Sequence, residues 1–183
     1  MGRRTKTLTT LGVCFALAST LAVETLPAAA DDAPAAAASR VPPVSPTPQS
    51  LSRAGDDVPV TDRVLVVADR DTDAAARTRL VRELKAHGAH RVDVVAPGNV
   101  PPASAGLLTV RLGPATRTDI ARTLGDTTVP DHAEGYALRV LGAGRDKRIA
   151  LGGTDAAGQF YAVQTLRQLF VRAGDERWKV AGV

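Results

Sequence analysis

YALRVLGAGRDKRIALGGTDAAGQFYAVQTLRQLF, running from Tyr136 to Phe170, decides how this chain folds. Tyr136 to Leu141 alternates as a half-buried strand does, GAGRDK supplies turn residues, and RIALGG returns, so the first half predicts a β-hairpin. Thr154 or Asp155 then caps a helix reaching to about Arg172. Phe160, Val163, Leu166 and Leu169 (or Phe170) lie along one face of that helix, which must pack on the sheet. A glycine inside a helix costs about 1 kcal/mol relative to alanine. Gly158 is therefore expected where helix and sheet backbones approach closely.

Upstream, RVLVVA (Arg63 to Ala68) is a continuous apolar, β-branched run and reads as a strand buried on both faces. Asp71 or Thr72 caps a helix in which Ala76, Leu80, Val81 and Leu84 recur at helical spacing, and Gly88 stops it. RVDVVA (Arg91 to Ala96) is a second strand, followed by the loop PGNVPPASAG. LLTVRLG is a third strand, and Thr116 to Leu124 a short helix closed by Gly125. Downstream, WKVAGV (Trp178 to Val183) reads as the start of one further strand. The order strand, helix, strand, strand, helix, hairpin, helix predicts an α/β (α+β) fold: a mixed β-sheet with helices packed on it.

The first of these strands runs into acids, ADRDTD, and two chemical readings of that row fail on the residues around it. A phosphate-accepting receiver domain needs an Asp at the tip of a later central strand. The next two strands end in Ala96-Pro97 and Leu112-Gly113-Pro114. A calcium loop matches at Asp69, Asp71 and Asp73, but Ala74 stands where the turn needs glycine and Leu80 where it needs a bidentate glutamate. The acids instead end a strand and sit at the positive end of a helix.

Other chemistry is equally thin. GAGRDK lacks the third glycine of a dinucleotide fingerprint and joins two strands, whereas pyrophosphate sits at a helix start. His87 and His90 flank a helix end, with His87 expected to face the helix C-terminus, and His132 lies in a loop, a dispersal that does not suit zinc. Ser45, Ser50, Ser52 and Ser104 occur in Pro-rich or loop context, outside any nucleophile elbow. No catalytic residue, cofactor site or metal site is assigned to this chain.

At the N-terminus, Arg3, Arg4 and Lys6 precede an apolar run from Leu8 to Val23, and Ala28-Ala29-Ala30 offers a cleavage site. Residues 1–30 therefore predict a signal peptide and a secreted protein, with no membrane attachment after cleavage. The run is too short and interrupted for a spanning helix, which needs about 20 apolar residues. Cys14, the only cysteine, lies within it, so the remainder depends on a packed core rather than disulfides. Losing three basic residues and one acidic residue takes the formal charge from +4 to +2. The remaining basic residues are scattered singly, which argues against nucleic acid as a partner. Residues 31–43, rich in Ala and Pro, read as a linker, and about 140 residues remain for one domain.

Two stretches carry a resemblance: Pro46-Thr47-Pro48-Gln49, and EGYALRV…RIALGGTDAAGQFYAVQTLRQL from Glu134 to Leu169. They resemble the N-terminal, non-catalytic domain of bacterial β-N-acetylglucosaminidases of glycoside hydrolase family 84, and the equivalent domain of family 20 β-hexosaminidases. Gly135, Tyr136, Leu138 and Val140 fit the first strand of that pattern, and Ile149, Leu151 and Gly153 the second. Gly158, Phe160, Tyr161, Gln164, Thr165, Leu166, Gln168 and Leu169 fit its helix. Ala162 stands where the family usually has glycine, which implies a slightly looser helix–sheet approach.

The resemblance implies a β-hexosaminidase N-terminal-domain-like unit over residues 44–177, with residues 178–183 opening a catalytic (β/α)₈ barrel. That barrel would be the partner in the same chain, and glycan would be bound through it. It performs a retaining hydrolysis assisted by the substrate's own N-acetyl group, and the chain alone is expected to be inactive. Gln164, Gln168 and Trp178 are the candidate domain-interface residues, the glutamines being one helical turn apart. The alternative is a free-standing carbohydrate-binding or interaction module. Sugar-binding modules usually present aromatic platforms, and only Tyr136, Phe160, Tyr161, Phe170 and Trp178 remain for that after residue 30.

Overall fold

The computed structural model describes residues 41–101, 106–172, 174 and 177–183. The predicted signal peptide and most of the predicted linker lie outside the described residues. In chain order the elements are β1 (Val58–Pro59), β2 (Arg63–Val67), α1 (Ala74–Ala86), β3 (Arg91–Val95), a 3-10 turn (Pro97–Asn99), β4 (Leu108–Pro114) and α2 (Thr118–Leu124). They continue with β5 (Tyr136–Ala143), β6 (Asp146–Gly153), α3 (Ala156–Gln168), β7 (Phe170–Arg172) and β8 (Trp178–Val180).

A five-stranded sheet has the order β3-β2-β4-β6-β5, parallel except for the β5–β6 hairpin. This is the mixed α/β sheet that the sequence predicts. The hairpin turn is tighter than the six residues of GAGRDK, because both strands extend into that stretch and leave Gly144-Arg145 between them. Gly144 adopts φ 57°, a conformation open to glycine at little steric cost.

Strand alternation divides the sheet between two unequal layers. On one face Val64, Val66, Leu108, Val110, Leu112, Ile149, Leu151 and Val140 pack with Leu80 and Leu84 of α1 and with Ala162, Val163 and Leu166 of α3. On the other, Ile120 and Leu124 of the short helix α2 meet only Ala137 and Ala150, with Val129 alongside. Leu65 and Val67 are buried as well, so β2 is covered on both faces, as its unbroken apolar run predicts. Helix α1 buries Ala76, Leu80 and Leu84 as expected, whereas Val81 is only half-buried and Glu83 is buried instead.

The helix starts resolve the alternatives left open by the sequence. Asp73 caps α1, its carboxylate accepting from the Ala76 amide at 2.7 Å, so neither Asp71 nor Thr72 is the cap. The Thr72 hydroxyl is buried and donates to the Leu112 carbonyl of β4. Asp155 caps α3: one carboxylate oxygen accepts from the Gly158 amide at 2.7 Å and the other from the Glu134 amide at 2.9 Å. In the first turn of α3, a Cβ on Gly158 would overlap the carbonyl oxygen of Gly135, which is the close approach expected of that glycine.

The two backbone amides hold the Asp155 carboxyl below its ordinary range. Asp155 thus stabilises the fold at neutral pH, and the contribution fades as pH falls from about 3.8, the ordinary value, toward the lower folded one. Asp155→Asn keeps a cap-forming side chain but removes the titration. Its urea midpoint is expected to depend less on pH than that of the natural chain below about pH 4, measured by fluorescence of Trp178. Equal acid sensitivity would contradict the assignment.

The last third departs from expectation. Helix α3 ends at Gln168, with Leu169 as its C-cap, four residues short of Arg172. Phe170–Arg172 turns extended because it pairs with β8 in a second sheet of order β1-β8-β7. Residues 178–183, expected to open a following barrel, are hydrogen-bonded into this unit. Trp178–Val180 form the middle strand of the small sheet. Beyond it the Ala181 amide donates to Leu169 and the Gly182 carbonyl accepts from Ala54, while the Val183 carbonyl accepts from Val140 on the outer edge of β5.

Candidate functional site

Open parallel sheets bind ligands beyond the carboxyl ends of their strands, so the acidic row after β2 is the first place to examine. Two of its three carboxylates, Asp69 and Asp73, are engaged by the protein itself. Asp69 accepts from the Asp71 amide and faces Arg117 Nη1 at 3.2 Å. Arg117 also pairs with Asp119 at 2.7 Å and donates to the Val67 carbonyl. The result is a mostly buried ion network that joins the tip of β2 to the start of α2. Among the described residues, no group of three or more His, Cys, Asp or Glu side chains is placed to hold a metal ion.

Gln159 completes this corner, and the sequence reading missed it. Its side chain is buried, accepts from the Asp73 amide at 2.8 Å and reaches the Asp71 carbonyl at 3.4 Å. It therefore fastens the first turn of α3 to the cap of α1. The available signal was its position between Gly158 and Ala162, on the buried side of α3. Gln159→Leu leaves the Asp73 amide without its acceptor, and a buried unsatisfied donor costs about 1–3 kcal/mol. The urea midpoint should fall accordingly, with the slope unchanged.

The three candidate interface residues fall into two places. Gln168 faces inward along the chain: its Oε1 accepts from the Ser45 amide at 2.8 Å and its Nε2 donates to the Ser45 carbonyl at 3.0 Å. This two-bond clasp holds the segment leading into Pro46-Thr47-Pro48, with Val44 buried in the main core beside it. Gln164, one turn earlier and half-buried, offers its carbonyl to Gln168 Nε2 at 3.4 Å. Trp178 belongs to another cluster. It meets the His87 ring edge-on at 4.5 Å and lies under the Arg172 guanidinium at 4.9 Å, while His87 stacks on Phe170 at 4.0 Å. His87 is the C-cap of α1 and its Nδ1 donates to the Glu83 carbonyl, the helix-end position that the sequence predicts. Of the remaining aromatics, Phe160 packs against the core and Tyr161 is 42% exposed.

Two cavities accompany these clusters. One, of about 720 Å³, lies at the amino ends of β2 and β4 and includes Trp178, His87, Arg63 and Asp62 in its wall. The other, of about 370 Å³, lies on the thinly covered face of the large sheet, between Leu65, Thr109, Arg111 and Arg148. Each has a single carboxylate in its lining, Asp62 in the first and Asp146 in the second. Neither offers the flanking pair of carboxylates used in the two-carboxylate scheme of glycoside hydrolysis. Among the described residues, no helix is long and apolar enough to cross a membrane.

The model of glycosyl hydrolase family 20, domain 2, matches residues 41–183. A solved structure of CpGH84B superposes with a TM-score of 0.57 at 19% identity, covering 76% of this chain and 21% of that one. CpGH84D superposes with a TM-score of 0.55 at 16% identity, covering 76% of this chain and 23% of its own. At these identities the likeness is one of fold. The chain spans about a fifth of the length of these solved proteins.

Proposed function

The chain belongs to glycosyl hydrolase family 20, domain 2, and from that premise we propose that it is the non-catalytic scaffold domain of a secreted β-N-acetylglucosaminidase. Hydrolysis of terminal N-acetylhexosamine glycosides falls to a (β/α)₈ barrel joined to it in the same polypeptide. The observation that carries this reading is where the carboxylates go: Asp69 and Asp119 to Arg117, Asp73 and Asp155 to helix caps. Carboxylates committed in this way to the domain's own architecture suit a domain that supports its neighbour mechanically rather than chemically. Export follows in this reading from the signal-like residues 1–30.

Purified chain is expected to release no chromophore from 4-nitrophenyl N-acetyl-β-D-glucosaminide beyond a heat-killed control, and calorimetry against chitin oligomers is expected to be flat. Turnover would overturn the non-catalytic assignment, and saturable heat would favour a carbohydrate-binding module. A chimera placing this chain before a family 20 barrel deprived of its own second domain is expected to recover soluble, active enzyme. Recovery no better than the barrel alone would defeat the scaffold role.

A further inference from the structure

From the arginines on the thinly covered face of the five-stranded sheet, we infer a binding site for a doubly charged tetrahedral oxyanion, a sulfate or phosphate group, built from Arg111, Arg148 and Arg145. Arg111 on β4 and Arg148 on β6 share that face, because Arg111 is registered with Ala150 and Arg148 with Thr109. They line the cavity of about 370 Å³ together with Leu65 and Thr109, and the hairpin residue Arg145 completes its basic wall.

Each of the two sheet arginines has one carboxylate neighbour. Arg111 Nε faces Asp119 at 3.5 Å and Arg148 Nη2 pairs with Asp146. Arg111 Nη1 and Arg148 Nε are buried with no hydrogen-bond acceptor among the described residues. A buried donor left unpaired is unfavourable, and two guanidinium edges with unmatched donors are suited to bind an oxyanion through several charge-assisted bonds. Three arginines against the one carboxylate of Asp146 leave this wall at +2, which favours a dianion over a single carboxylate. Burial, with repulsion from Arg148 and Arg117 added, holds Arg111 below the usual arginine range. A bound anion relieves that destabilisation.

The inference is independent of the scaffold reading. Its test uses the full chain titrated by calorimetry with sodium sulfate, with sodium chloride at matched ionic strength, and with N-acetylglucosamine 6-sulfate beside unsulfated N-acetylglucosamine. The expected result is saturable sulfate binding with a Kd of about 1 mM or tighter and none for chloride. Arg111→Gln and Arg148→Gln should weaken it about tenfold or more, since each removes charge-assisted bonds. Arg145→Ala alters an exposed turn and should weaken it a few-fold without disturbing the fold. Tighter binding of the sulfated sugar than of free sulfate would identify a glycan as the source of the group, and equal binding a free anion. Absence of saturable sulfate binding, or affinity unchanged in Arg148→Gln and Arg145→Ala, would overturn the site even if Arg111→Gln fails to fold.

Discussion

Gly153→Ala is expected to lower the thermal midpoint by about 10 °C. Gly153 ends β6 just before α3 begins, and a Cβ there would overlap the Gln159 amide nitrogen. It would also stand 2.6 Å from the Gly158 carbonyl carbon and 2.9 Å from the Asp155 carbonyl oxygen. All three are backbone atoms of the α3 start, so no side chain can rotate away. The helix would have to lift from the sheet, against the Asp155 cap and the Gln159 staple. Overpacking of this kind costs roughly 3 kcal/mol, and for a domain of this size each kcal/mol lowers the midpoint by about 3 °C. Gly98→Ala is the control, since a Cβ there meets nothing within 4 Å. Circular dichroism melts that place the Gly153 variant within about 2 °C of the natural chain would show that the α3 start is not fixed in this position.

The second large effect is Leu166→Ala. Leu166 is fully buried in the main core, midway between the strands and α1. Truncating such a leucine costs about 2–5 kcal/mol, because the cavity adds to the lost transfer energy. The upper part of that range applies where the surroundings cannot collapse, and both layers around Leu166 are anchored, one by the sheet and one by the Gln159 staple. Leu124→Ala, in the four-residue cluster under α2, should cost less, since that short helix can settle toward the sheet. Urea midpoints measure both. A Leu166 variant no weaker than the Leu124 variant would contradict the division into a major and a minor core.

Much of this fold was legible because its signals are local. The β5–β6 hairpin shows period-2 alternation, and α1 shows i, i+4 spacing closed by Gly88, which takes φ 97°. The small sheet was not legible, because its strands are two or three residues long and β1 meets β8 across most of the domain. For the same reason α3 read as running on to Arg172: Leu169 and Phe170 continue its apolar face, and only pairing with β8 turns the chain away. The cap of α1 was ambiguous among the clustered acids because the choice depends on Gln159, 86 residues away. The clasp made by Gln168, a candidate domain-interface residue in the sequence, was hidden for a similar reason, since its partner Ser45 is 123 residues distant. The oxyanion site was hidden because its arginines are scattered along the chain and only strand register gathers them.

The pairing of Val58 with Val180, and of Ala54 with Gly182, places the incoming and outgoing chain side by side at one corner. Tension applied through both connections would first load the Ser45–Gln168 clasp and the Val183–Val140 bond, and only then open that ladder rung by rung, like a zipper, instead of shearing it along its length.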